Sequence, residues 1–138
     1  MGKISVYCEA KKTAELWKRT NYNLEKDLDD IDEDELNQIA VEIGNEIENG
    51  LNRPTATAIY WGNKRRANYA KIRIIDEKRD TGKSGGYRCI VLVDCVNDAA
   101  FLLHIYRHGQ GHDNELTTRD KAKLRKLVDE YIDALVKQ

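Results

Sequence analysis

The spacing of apolar residues divides this chain into a helical first part, a strand-rich middle and a helical end. Leu36, Ile39, Ala40, Ile43 and Ile47 recur at i, i+3, i+4, i+7 and i+11, which lines one side of a helix. The acidic run Asp29 to Glu35 supplies negative charge where a helix start favours it. Asp32 and Glu35 have capping-box spacing, and Gly50 suits the far end. Leu124, Leu127, Val128, Tyr131, Ile132 and Leu135 form a second stripe, with Lys121, Lys123, Arg125 and Lys126 mostly off it. A helix is expected there from a cap at Thr117 or Thr118 to about Val136. Nearer the start, Ala14 to Arg19 can form a helical turn with Leu16 and Trp17 inward.

Between these stripes the period shortens to two. Tyr69 to Ile75, Tyr87 to Val93 and Ala100 to Tyr106 are β-rich runs, and a short polar turn around Asn97 and Asp98 separates the last two. Runs joined this closely predict an antiparallel meander. The middle run is apolar on both faces after Arg88, as a central strand covered on each side would be. Lys3 to Cys8 reads as a short strand at an edge or paired with this sheet, and Thr55 to Trp61 as a strand or extended connection. The expected fold class is α+β, in a single domain over residues 1–138. Its sheet is a small antiparallel one, a three-stranded meander plus an N-terminal strand, packed with N-terminal helices and a C-terminal helix.

Composition narrows the picture. With 41% hydrophobic and 34% charged residues, 138 residues can bury a core as a soluble domain. The longest apolar runs are far short of a bilayer span and the segment MGKISVYCEA lacks a continuous apolar stretch, so a cytoplasmic protein with no membrane partner is expected. Cys8, Cys89 and Cys95 are odd in number and lack a CxxC spacing, which reads as reduced thiols. The net charge of −1 hides an asymmetry: residues 1–52 carry six cations against thirteen acids, and residues 53–138 seventeen against eleven. A basic half of this kind points to a polyanionic partner.

The densest basic stretch runs from Lys64 to Arg88, with nine cations against three acids. Alternation puts Lys71 and Arg73 on one strand face and Ile72 and Ile74 on the other. A Gly-rich turn bearing Lys83 then leads back into a strand at Arg88, near that cationic face. The GKS at Gly82 to Ser84 is not a phosphate-binding P-loop, because position 77 is Glu where that motif needs Gly and a strand follows. His104, His108 and His112 are spaced by four, but the strand pattern and two glycines argue against a helix and no fourth ligand stands at a suitable spacing. No metal or cofactor is expected. Trp17, Trp61 and Tyr87 can stack on bases or fill the core, and core packing is the expectation.

The order of elements, the KIR of the first meander strand, the GKSGGYR loop and strand, the FLLHIY strand with its HGQGHDN loop, and the TTRDKAKLRKLV helix together resemble the RelE/HigB branch of toxin–antitoxin toxins, over roughly residues 66–130. The resemblance implies a bacterial endoribonuclease that cleaves messenger RNA, usually on the ribosome. It also implies a small cognate antitoxin as partner, with operator DNA bound only through the antitoxin complex. Such cleavage uses the ribose 2′ hydroxyl as nucleophile, so the protein must assist two proton transfers and neutralise charge at phosphorus. By similarity Arg88 holds the phosphate, since a guanidinium grips two oxygens at once. Lys71 and Arg73 add stabilisation or proton transfer, and His108 is the acid–base candidate. Lys64, Arg65, Arg66, Lys83, Arg107 and His112 are the expected RNA contacts. The chain departs from some family members in having no tyrosine between Tyr106 and the last helix. Two other functions fit the same similarity: a ParE-like inhibitor that binds DNA gyrase, and a non-catalytic member that binds antitoxin and operator DNA. The acidic first half makes the last more credible than usual, since typical nuclease toxins of this kind are basic overall, and the endoribonuclease remains the leading expectation.

Overall fold

The structure, a computed structural model, describes residues 4–50, 52–53, 56–61, 66–74, 86–107 and 116–136. In chain order the elements are β1 (Ser5–Tyr7), α1 (Ala14–Trp17), α2 (Leu24–Asp27), α3 (Glu33–Glu48), β2 (Asn52–Arg53), β3 (Ala56–Trp61), β4 (Ala67–Ile74), β5 (Tyr87–Asp94), β6 (Ala99–Arg107) and α4 (Thr118–Val136). This is an α+β fold, as the hydrophobic pattern predicts.

The sheet is larger than expected and is mixed. Six strands lie in the order β1-β6-β5-β4-β3-β2. The runs from β3 to β6 pair antiparallel in sequence, so the expected meander is there, extended by β3 and β2. β1, however, pairs parallel to β6, with Val6 opposite Ala100, which corrects the all-antiparallel expectation. The reason is connectivity: three helices separate β1 from the hairpins, and a crossover of that length delivers a strand to the far edge in either direction.

Local chemistry sets the ends of the helices. Asp32 Oδ1 accepts the Glu35 N–H at 2.8 Å at the start of α3, and Gly50, with φ of 88°, turns the chain after it. At α4, Thr117 Oγ1 accepts the Asp120 N–H at 3.0 Å while Asp120 Oδ2 accepts the Thr117 N–H at 3.2 Å, a reciprocal cap. Asp98, with φ of 51°, makes the tight turn between β5 and β6.

Helices cover both sides of the sheet. α3 lies on the face that carries Val6, Cys89 and Ile72: a Cβ at Gly44 would meet Val6 Cγ2 at 3.6 Å, and Tyr87 donates to Glu35 at 2.8 Å. α4 lies on the opposite face, where the Tyr131 hydroxyl donates to Asp94 at 2.7 Å and the Tyr131 ring packs on Phe101. β5, between these layers, is buried at all eight positions. Trp17 is buried in the core with its indole N–H on the Ala10 carbonyl, and an ion pair between Arg19 and Glu130 ties the region after α1 to α4. Cys8, Cys89 and Cys95 are free thiols, and burial pushes the Cys8 thiol up to about 12.

Candidate functional site

Register on the central strands decides which cations meet. Arg73 on β4 is directly opposite Arg88 on β5, and Arg88 is directly opposite Tyr106 on β6. Directly opposed residues share a sheet face, so these three side chains form one row. The adjacent row on that face is Lys71, Ile90 and His104. Lys71, Arg73 and Arg88 therefore stand together, as the alternation predicts.

Their exposure differs. Arg73 is exposed and Lys71 half-buried, whereas Arg88 is only 3% exposed. Burial lowers the pKa of the Arg88 guanidinium from its ordinary value, and repulsion from Arg73 lowers it further. One of its nitrogens donates to the Tyr87 carbonyl at 3.4 Å. On this face Arg73 and Lys71 are the accessible cations, with Arg88 buried in the row beside Arg73.

The other expected RNA contacts divide. Arg66 precedes β4, seven residues before Arg73, which separates the two by roughly 23 Å along an extended strand. Its carbonyl accepts the Cys95 N–H at the far end of the sheet. Arg107 is opposite Tyr87 and so faces away from Arg88. Its guanidinium lies 4.5 Å from the Tyr87 ring centroid and donates to the Tyr87 hydroxyl at 2.7 Å, and that hydroxyl donates in turn to Glu35. Tyr87 is thus a buried link between β5, β6 and α3 rather than a platform for bases. Lys64, Arg65, Lys83, His108 and His112 lie outside the described residues, as does the GKSG part of the basic loop before Gly86. Among the described residues no group of histidines, cysteines and acids is arranged to hold a metal ion.

A pair not anticipated from the sequence lies next to the cationic rows. His104 Nδ1 is 2.7 Å from Asp27 Oδ2, with the two side chains 22% and 19% exposed. The same carboxylate oxygen accepts the Ile105 N–H at 3.5 Å, on the length of β6 that β1 does not cover. Tyr22 stacks on the imidazole with centroids 4.1 Å apart and planes 4° from parallel, and the Tyr106 ring lies 5.1 Å away, tilted by 30°. An open cleft of about 490 Å³ borders this edge, with Lys26, Asp27, Asp30, Tyr87, Tyr106 and Arg107 among its walls. The one sequence signal was that His104 interrupts an otherwise apolar strand at a position sharing a face with Tyr106. Its partner is 77 residues away, so no local pattern identifies the pair.

No helix among the described residues is long and apolar enough to cross a membrane. Comparison of the chain with protein-family models, curated proteins and solved structures returns no match.

Proposed function

We propose that this chain is an endoribonuclease of the RelE/HigB toxin type, acting on messenger RNA at the ribosome in the cytoplasm and held inactive by a cognate antitoxin. The observation that supports this reading best is the opposition of Arg73 and Arg88 across adjacent strands, with Lys71 on the same face one row away. Three cations held on rigid strands form a preorganised anion site, and such a site favours the transition state of phosphoryl transfer over its ground state when charge gathers on the phosphate oxygens. Arg73 and Lys71 receive the phosphate, and the buried Arg88 adds charge from the neighbouring strand. The reaction joins the 2′ oxygen to phosphorus and breaks the bond to the 5′ oxygen, which needs no metal or cofactor.

A second reading draws on the burial of Arg88. A guanidinium with almost no exposed surface is also what a binding protein needs to brace its sheet, and a gyrase-binding toxin or a regulatory member that binds antitoxin and operator DNA fits that feature. Induction in bacteria followed by mapping of new messenger RNA 5′ ends separates these. Cleavage within translated codons that is lost in Arg73→Ala and Arg88→Ala supports the nuclease. Growth arrest with intact messages and DNA damage indicates gyrase binding, and absence of arrest indicates the regulatory role.

A further inference from the structure

We propose that His104, held by Asp27, is the general base of this cleavage and takes the proton from the ribose 2′ hydroxyl; the assignment rests on the nuclease reading above. Four observations carry it. First, register puts His104 on the sheet face of Lys71, Arg73 and Arg88, and His104 is the diagonal neighbour of Arg88 across the β5 and β6 pair. Diagonal neighbours have Cβ atoms about 7–8 Å apart, a gap that a phosphate and its ribose span. Second, the contact of Nδ1 with Asp27 at 2.7 Å assigns the ring hydrogen to that nitrogen, which leaves Nε2 as the acceptor. Third, Tyr22 stacks on the face of the ring and Tyr106 lies 5.1 Å from it, so neighbouring aromatic rings hold the imidazole in place. Fourth, the side chain keeps 22% of its surface exposed, whereas Leu103 and Ile105 on either side of it in β6 are buried.

The charged and titratable groups facing the imidazole are Asp27 from α2, Asp120 from the first turn of α4, Tyr22 from the segment before α2, and Tyr106 on its own strand. The step balances without another reactant. The bond from the 2′ oxygen to phosphorus forms as the bond from phosphorus to the 5′ oxygen breaks, and Nε2 takes the 2′ proton. The departing 5′ oxygen gains a proton from water, to which the imidazolium later returns its own. The products are a 2′,3′-cyclic phosphate and a 5′ hydroxyl.

Asp27 is a positioning residue in this scheme, and a purely structural tie between α2 and β6 is the competing explanation. The test uses the full chain with ribosomes programmed with messenger RNA, under single-turnover conditions. His104→Asn retains a donor for Asp27 but lacks Nε2. The expected result is a 10²- to 10⁴-fold loss of cleavage rate, the range for general acid–base catalysis, with binding to a 2′-deoxy analogue unchanged. Asp27→Asn is expected to lower the rate less and to displace the pH–rate profile. Cleavage by His104→Asn at the wild-type rate, or a loss matched by equally weakened binding of the 2′-deoxy analogue, overturns the assignment. If His104→Asn does not fold by thermal unfolding, Asp27→Asn decides, and an unchanged rate and pH profile in that variant overturn it. If the wild-type protein itself leaves translated messages intact, the nuclease reading fails and this assignment with it. If the wild type cleaves and His104→Asn does too, only the assignment fails.

Discussion

Replacing Arg73 with threonine should make the protein more stable and less able to bind RNA. Like charges directly opposite on neighbouring strands cost about 0.2–1 kcal/mol, and Arg73 opposite Arg88 is such a pair. Arg73 is exposed, so solvent screens its half of the interaction and the gain belongs in the lower half of that range. Threonine keeps a β-branched side chain suited to the strand, so the substitution removes charge with little loss of strand propensity. For a chain of 138 residues a gain of a few tenths of a kcal/mol raises Tm by roughly 1–3 °C. Thermal unfolding at low salt measures it, and added salt should shrink the difference between variant and wild type. RNA binding should move the other way. Loss of one phosphate contact reduces the slope of log affinity against log salt by about 0.7 for a single strand. A fall in Tm would show that Arg73 is not repelled by Arg88, and an unchanged salt slope for RNA would show that it does not contact phosphate.

The other expected outcomes concern the folded frame. Burial pushes the Asp94 carboxyl up, but hydrogen bonds from Tyr131, Asn97 and the backbone of Asn97 and Val96 outweigh it and leave the group below its ordinary range. A depressed folded pKa means that Asp94 adds stability above the unfolded value of about 3.9, which is lost as pH falls through the folded value. Urea unfolding between pH 7 and pH 3 should therefore show an acid limb that Asp94→Asn flattens. Tyr131→Phe removes the hydroxyl that donates to this buried carboxylate and should cost about 1.5–3 kcal/mol in urea unfolding at neutral pH, with a smaller cost in acid. Thr117→Ala removes the cap of α4 and should cost about 0.5–2 kcal/mol, measured by the same unfolding. In the native protein an alkylating reagent followed by peptide mass mapping should label Cys95, the exposed thiol, well before Cys8 and Cys89, whose burial raises their pKa values.

The helices and the meander were legible because their signals are local. The stripe from Leu36 to Ile47, the acids before it and Gly50 after it delimit α3 within a residue or two of where it lies. The same is true of α4, where Thr117 provides the expected cap. Alternation alone also placed Lys71 and Arg73 together, since a strand offers each residue only two sides. β3 was less distinct, and the short α2 was not foreseen, because four residues are too few to show a period. Trp17 and Tyr87 went to the interior, where large aromatic surfaces gain most from leaving water.

By itself the sequence determined the α+β class, the order of the central strands and the shared face of Lys71 and Arg73, all of which follow from backbone geometry and the burial of apolar side chains close along the chain. Tertiary structure alone decided that β1 joins β6 in parallel, that register sets Arg88 opposite Arg73 and buries it, that Arg107 faces away from Arg88, and that Asp27 reaches His104. Those outcomes depend on which distant segments pack against one another. Packing is a balance of many small contacts summed over the whole chain, and no short stretch of residues contains that sum.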